Sequence, residues 1–251
     1  MAKYDNRFML GSTKKATTFY QAYHIPTLHA LPRWIGVLEP QICKDLFKIT
    51  SKADQKLLAG IQNLFGNEEN TQGIYRYDRF LPDEEFFFDQ WGKISCFIRR
   101  TGQYLNWRYF DIPMHNYHCI RCNDEQFVIY RIESIMHHDE TLIRIIEWNV
   151  TGAAAKKALA FLIEEGKKVG SVLIDFFCTA SEIGEELIQY GFFKEKDLVT
   201  PIPYLFRPIV YNQIIDRSVA IDLPPHRKPK SFDFGEWYIT RGDSDLDRIK
   251  L

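Results

Sequence analysis

The stretch from residue 153 to residue 191 constrains the fold more than any other. Ala155, Leu159, Leu162 and Ile163 share one face of a helix expected over Ala153 to Lys168. Ser171 to Phe177 follows as an apolar strand interrupted by one charge, Asp175. A second helix, Ser181 to Tyr190, stops at Gly191, which accepts the left-handed backbone that ends helices. Upstream, His118 to Arg121 and Gln126 to Glu133 read as strands around the turn Asn123-Asp124, and Leu142 to Trp148 as a third. Strands passing into strand–helix alternation predict an α/β class, with a partly parallel sheet.

The first 70 residues read differently. A helical piece spans Ser12 to Ala22, and a strand-like run spans Leu28 to Leu38. Pro40 begins a helix with Ile42, Leu46 and Ile49 at helical spacing; a second carries Leu57, Leu58, Ile61 and Leu64 and closes at Gly66-Asn67. Asn67 to Gly73 is polar and turn-rich. It divides an N-terminal helical extension, 1–70, from a domain at 71–251. Pro82-Asp83-Glu84-Glu85 suits a helical first turn, so a helix carrying Phe86, Phe87, Phe88 and Trp91 is expected. After Thr200 the chain is Pro-rich and irregular, ending in Trp237 to Thr240 and a charged tail.

Charge excludes one class of partner. Lys plus Arg is 32 against 33 for Asp plus Glu, so there is no basic excess to grip nucleic acid phosphates. No apolar run nears the length that spans a bilayer, and the start lacks an apolar signal core. Five cysteines are an odd number without a disulfide pattern. A cytoplasmic, reducing location is the expectation. The 15% aromatic share fills a core or lines pockets for sugars and flat ligands.

Several residues carry candidate chemistry. Asp175 is costly inside an apolar strand unless it is paired or functional. Its readings are a partner for Arg144 or Arg131, and a base or amine anchor. Arg131 and Glu133 are two apart on a strand and share a face. Arg144 and Glu147 are three apart, so both join that face only if the strand bulges. Together these residues make either a structural ion-pair network or a pocket for a charged or hydroxylated sugar. Trp107 and Arg108 form a candidate pocket wall, with helix-end packing as the alternative. His115, His118, Cys119 and Cys122 invite a zinc reading, but His118 and Cys119 point to opposite faces of a strand. Asp243, Asp245 and Asp247 lack the glycine and the final glutamate of a calcium loop. No metal is expected.

Short motifs give a resemblance. Asn106-Trp107-Arg108-Tyr109, Tyr130-Arg131-Ile132-Glu133, Leu142 to Glu147, Ile174-Asp175-Phe176-Phe177, Pro201 to Pro208 and Gly242 to Arg248 resemble a GNAT-like family from bacterial surface-polysaccharide gene clusters. Gly191-Phe192 is similar to the pair that closes the last GNAT helix. The resemblance covers roughly residues 75 to 251. It implies the GNAT acyltransferase fold, a central mixed sheet flanked by helices. It also implies that residues 1–70 are the remnant of a first GNAT-like half.

The activity implied is N-acyl transfer from acetyl-CoA, or another acyl-CoA, to an amino group. The acceptor implied is an amino sugar or sugar nucleotide; a homo-oligomer is left open. In such enzymes a Gly-rich loop at a helix N-terminus holds the cofactor pyrophosphate, where free N–H groups meet the anion. Thr151, Gly152, Ala153 and Ala154 stand at that place here, without the usual Arg or Gln and with a shortened loop. Asp175 and Glu147 are the candidates for amine contact. The family's acid, a tyrosine four residues before the glycine, falls on Leu187; Tyr190 directly before Gly191 is the substitute candidate, with packing as its alternative. Trp107, Arg108, Arg131, Glu133 and Arg144 are the substrate-binding candidates. Two other readings stand beside the enzyme. One is a degenerate, non-catalytic GNAT-like binding domain, favoured by the missing loop residues and acid. The other is a Fem-type aminoacyltransferase, disfavoured by the net charge of -1.

Overall fold

The computed structural model describes residues 7–11, 14–58, 61, 71–113, 115–204, 206, 218–223 and 232–244. The chain opens with β1 (Arg7–Leu10), α1 (Lys14–Ala22), β2 (Thr27–Leu28), β3 (Arg33–Val37), α2 (Pro40–Leu46) and α3 (Lys52–Leu57). Four short strands follow: β4 (Tyr75–Tyr77), β5 (Glu85–Phe86), β6 (Cys96–Phe97) and β7 (Arg100–Thr101). Then α4 (Gly102–Leu105) runs into a π-helical turn, Asn106–Phe110. Next come β8 (Tyr117–Arg121), β9 (Phe127–Ser134), β10 (Thr141–Asn149), α5 (Gly152–Lys168), β11 (Ser171–Phe177), α6 (Ser181–Gln189) and β12 (Phe193–Lys194). The last strands are β13 (Val219–Asp222) and β14 (Trp237–Tyr238).

The architecture is α/β, a mixed sheet flanked by helices. Seven strands lie in the order β12-β3-β11-β10-β9-β8-β4. β10 and β11 run parallel, joined by α5 as the crossover helix; the other neighbours pair antiparallel. Ile174 and Phe176 of β11 join the apolar residues of α5 and α6 in one core. Alternation turns Leu173 and Asp175 to the other face. There Leu173 meets Cys43, Phe47 and Leu58 of the N-terminal segment.

Residues 33–37, expected in a separate extension, therefore form a strand inside the main sheet, between β11 and β12. The strand-like run Leu28 to Leu38 splits before Pro32: β2 pairs with β13, and β3 enters the large sheet. The expected helix ending at Gly66-Asn67 is described only to Leu58 and at Ile61; residues 59–60 and 62–70, with most of the expected boundary, lie outside the described residues.

The expected helix from Pro82 does not form. Glu84 instead accepts the Leu81 N–H at 2.8 Å and pairs with Arg121 at 2.8 Å. Phe86 and Phe88 are buried while Phe87 is exposed, the period-two pattern of extended chain. Tertiary burial of alternate rings outweighs a favourable helical first turn worth only about 1 kcal/mol.

The helix α6 packs on β3 through Gly184. A Cβ there would stand 1.9 Å from Trp34 Cζ2, and Trp34 is itself buried. Gly184→Ala is expected to cost about 3 kcal/mol of stability, since overpacking displaces a rigid ring. Glu185→Ala, on the exposed side of the same helix, should stay within about 0.5 kcal/mol. Urea denaturation midpoints check both.

Candidate functional site

Polar residues run in a row across the sheet face opposite α5 and α6. The register sets Arg144 of β10 beside Asp175 of β11 and beside Arg131 of β9. Arg144 grips Asp175 with two bonds, Nε to Oδ1 at 2.9 Å and NH2 to Oδ2 at 3.0 Å. Arg33 of β3 adds two more to Oδ2, at 3.0 and 2.7 Å. Arg144 also reaches Glu133 at 2.7 Å, and Glu133 takes Arg131 at 3.2 Å. Arg33 continues outward to Glu195 at 3.0 Å and to the carbonyls of Ile202 and Pro203 at 3.1 Å each.

Asp175 has no exposed surface, and Arg144 none either. Burial alone would raise the Asp175 carboxyl. The Arg144 and Arg33 guanidiniums outweigh it and hold the carboxyl well below the usual carboxylate range. Both oxygens are committed to guanidinium donors. Arg33 was absent from the sequence candidates. The signal that found Asp175 would have found it too: it is the only Lys, Arg, Asp or Glu between Leu28 and Leu38.

Glu147 sits in a second cluster on the same face. The pairing of β10 with β9 shifts register between Ile145 and Glu147, so β10 bulges at Ile146. That bulge is the condition under which Arg144 and Glu147 share a face. Glu147 accepts from the Tyr109 hydroxyl at 2.5 Å and from the Tyr238 hydroxyl at 2.9 Å, and it is ion-paired with Arg100, whose Nε lies 3.0 Å away. Arg100 also holds Asp243 at 2.9 Å. Burial pushes the Glu147 carboxyl up, against the pull of Arg100. Burial raises the Tyr109 and Tyr238 hydroxyls well above their ordinary value, so both remain donors. Sequence reasoning did not single out Tyr109, Tyr238 or Arg100. Tyr109 lies in one of the motifs that carry the resemblance and Tyr238 in the Trp237 to Thr240 run, but only long-range folding brings them and Arg100 to Glu147.

The candidate cofactor loop precedes α5. Gly152 adopts φ +58°, and its N–H donates to Glu186 Oε1 at 2.7 Å. The Thr151 hydroxyl donates to the same oxygen at 3.2 Å. Glu186 belongs to α6, so a carboxylate of the chain itself lies where a helix N-terminus favours an anion. Burial raises the Glu186 carboxyl; the Gly152 N–H opposes it. The Tyr190 hydroxyl donates to the Gly152 carbonyl at 3.1 Å. Ala153 is exposed and Ala154 half-buried in the first turn. The structure thus brings Tyr190 to the loop but leaves Asp175 and Glu147 in their own clusters.

The parallel strands diverge beyond Ile145 and Phe176, their last paired residues. Open α/β sheets bind ligands in the crevice at such carboxyl ends. Here the chain's later residues fill it. Thr179 N–H donates to the Ile239 carbonyl at 3.0 Å, and Ile239 N–H donates to the Thr179 hydroxyl at 3.1 Å. Cys178 bridges to Thr240. On the β10 side, the Trp148 N–H donates to the Tyr238 hydroxyl at 2.8 Å. Trp148, Tyr238, Ile239 and Thr240 have no exposed surface.

Trp107 and Arg108 do not form one wall. Arg108 is buried and donates to the carbonyls of Gly242 at 2.7 Å and Ser244 at 2.6 Å; Trp107 faces solvent. Burial raises the Cys122 thiol to about 11 and the Cys43 thiol to about 12, so neither supplies a ready thiolate at neutral pH. Among the described residues no three His, Cys, Asp or Glu side chains gather as a metal site. Asp245 and Asp247 lie outside those residues. No helix among them is long and apolar enough to cross a membrane. No family model, curated protein or solved structure matches the chain.

Asp175→Asn is expected to cost about 3 kcal/mol, because it takes the shared carboxylate from two buried guanidiniums and leaves each with one carboxylate, Glu133 for Arg144 and Glu195 for Arg33. The sign with pH follows from the lowered folded-state value. The contribution is complete at neutral pH, begins to fade below about 4, the unfolded value, and is lost as pH falls toward the folded value. Denaturation between neutral pH and the acid limb should show a steeper acid loss for the native chain than for the variant.

Proposed function

We propose that this chain is a GNAT-like domain that binds rather than transfers: a non-catalytic module serving surface-polysaccharide assembly. The observation that carries the reading is the occupied crevice. At the ends of β10 and β11, Tyr238, Ile239 and Thr240 have no exposed surface and are bonded to both sides. A cofactor arm has no room there without displacing Tyr238 and its bond to Glu147. Glu186 on the Gly152 N–H supports the same reading, since an anionic ligand would have to expel it.

A second reading, N-acyl transfer from acetyl-CoA to an amino sugar, is favoured by one observation. The Thr151-Gly152 turn still presents an N–H and a hydroxyl at the start of a 17-residue helix, a shape suited to phosphate.

Titration calorimetry with acetyl-CoA, beside coenzyme A, separates the two. The non-catalytic reading expects no heat up to millimolar ligand with a well-folded protein. Micromolar binding that disappears in Gly152→Trp would overturn it and establish the enzyme reading.

A further inference from the structure

The sheet face that meets α5 gathers titratable side chains at its edge. β4 is the last strand in the sheet order, and its three residues are exposed. Its register on β8 sets Arg76 beside Ile120, and the register of β8 on β9 sets His118 beside Tyr130. His118 and Ile120 are two apart on one strand, so Arg76, His118 and Tyr130 share a face. Arg76 is the diagonal neighbour of His118, within reach of a long side chain. From α5, Glu165 pairs with the Arg76 guanidinium, which lies 5.5 Å from the centre of the Phe161 ring.

β4 is held by a three-residue ladder to β8, by the Arg76–Glu165 pair, and by Lys157 Nζ donating to the Gln72 carbonyl at 3.2 Å. So short an attachment belongs to the low-stability end of a fold. His118 is half-buried beneath it, its ring 5.2 Å from the Tyr130 ring and tilted by 31°. Tyr130 has no exposed surface, and burial raises its hydroxyl to about 12, so it supplies no counter-charge. Glu165 is already shared between Arg76 and Lys168, whose Nζ lies 3.3 Å away. The groups facing His118 are thus Arg76 from β4, Tyr130 from β9, and Glu165 with Lys168 from α5. Burial holds the His118 ring below the ordinary histidine value, Arg76 pushes it further down, and Glu165 opposes them.

We infer that His118 is an acid trigger seated under the edge strand: a proton on its ring repels the Arg76 guanidinium and releases β4 from β8 and α5, baring the pairing edge of β8. The inference does not depend on what the chain binds. The fold accepts the neutral ring, which sets the sign. The β4 attachment is complete above about pH 6.5, the unfolded histidine value, and is lost as pH falls through the folded value. This window lies above that of Asp175, which opens below about 4. The raised Glu147 and Glu186 carboxyls favour the folded state as pH falls, the opposite sign.

The test is hydrogen exchange on the full-length protein, read by mass spectrometry as protection relative to the unstructured rate at about pH 7.5 and about pH 5. Peptides covering β4 and β8 are expected to lose about tenfold in protection at the lower pH, while those covering β11 and α6 keep theirs. The loss should disappear in His118→Gln. A second measurement needs no change at His118: its ring resonance in the native chain should titrate below about 6.5, and move up in Arg76→Gln as the repelling cation is removed. Equal protection at both pH values, a loss that survives in His118→Gln, or a loss shared by β11 and α6 would overturn the inference. So would a native His118 titration at or above about 6.5.

Discussion

The fold depends on one carboxylate shared by two guanidiniums. Asp175 lies in the middle of β11 and is held by Arg144 from one neighbouring strand and Arg33 from the other. Three strands are thereby locked in register, because a one-residue slip would turn every charge toward the opposite, apolar face. Such an arrangement stabilises little against a hydrophobic equivalent, yet breaking it is costly. Its consequence here is specificity: β3, from the N-terminal segment, has one place in the sheet where Arg33 finds its anion.

The second constraint is the closure of the diverging strands. β10 bulges at Ile146, and this brings Glu147 to the same face as Arg144. Glu147 then becomes the anchor for Tyr109 from the π-helical turn and Tyr238 from the chain's last strand. Residues far apart in sequence meet at one buried carboxylate. The crevice that an open α/β sheet normally offers to a ligand is sealed by the same contacts.

Local pattern carried much of the fold. The α5–β11–α6 unit follows from helical spacing, an apolar run and Gly191, and all three elements form close to their expected limits. The β8 to β10 strands also follow from period and turn residues. The helix at Pro82 was misread because a favourable first turn is a weak, local signal, and burial of Phe86 and Phe88 overrode it. The placement of β3 was not legible, since no local feature says which strands a strand will join. Of the candidate site, the polar residues on the sheet were found because charges in apolar strands are conspicuous. Arg100 and Tyr238 were not, as their partners lie 47 and 91 positions away in sequence.

By itself, the sequence determined that this is an α/β chain with charges set into its strands, because periodicity and the cost of burying charge act locally. Only the tertiary structure decided that Asp175 is a strut between two arginines, that Glu186 takes the place of an anion at Gly152, and that Tyr238 closes the crevice. Those outcomes depend on which distant segment arrives at each polar group, and loop closure and packing settle that for the whole chain at once.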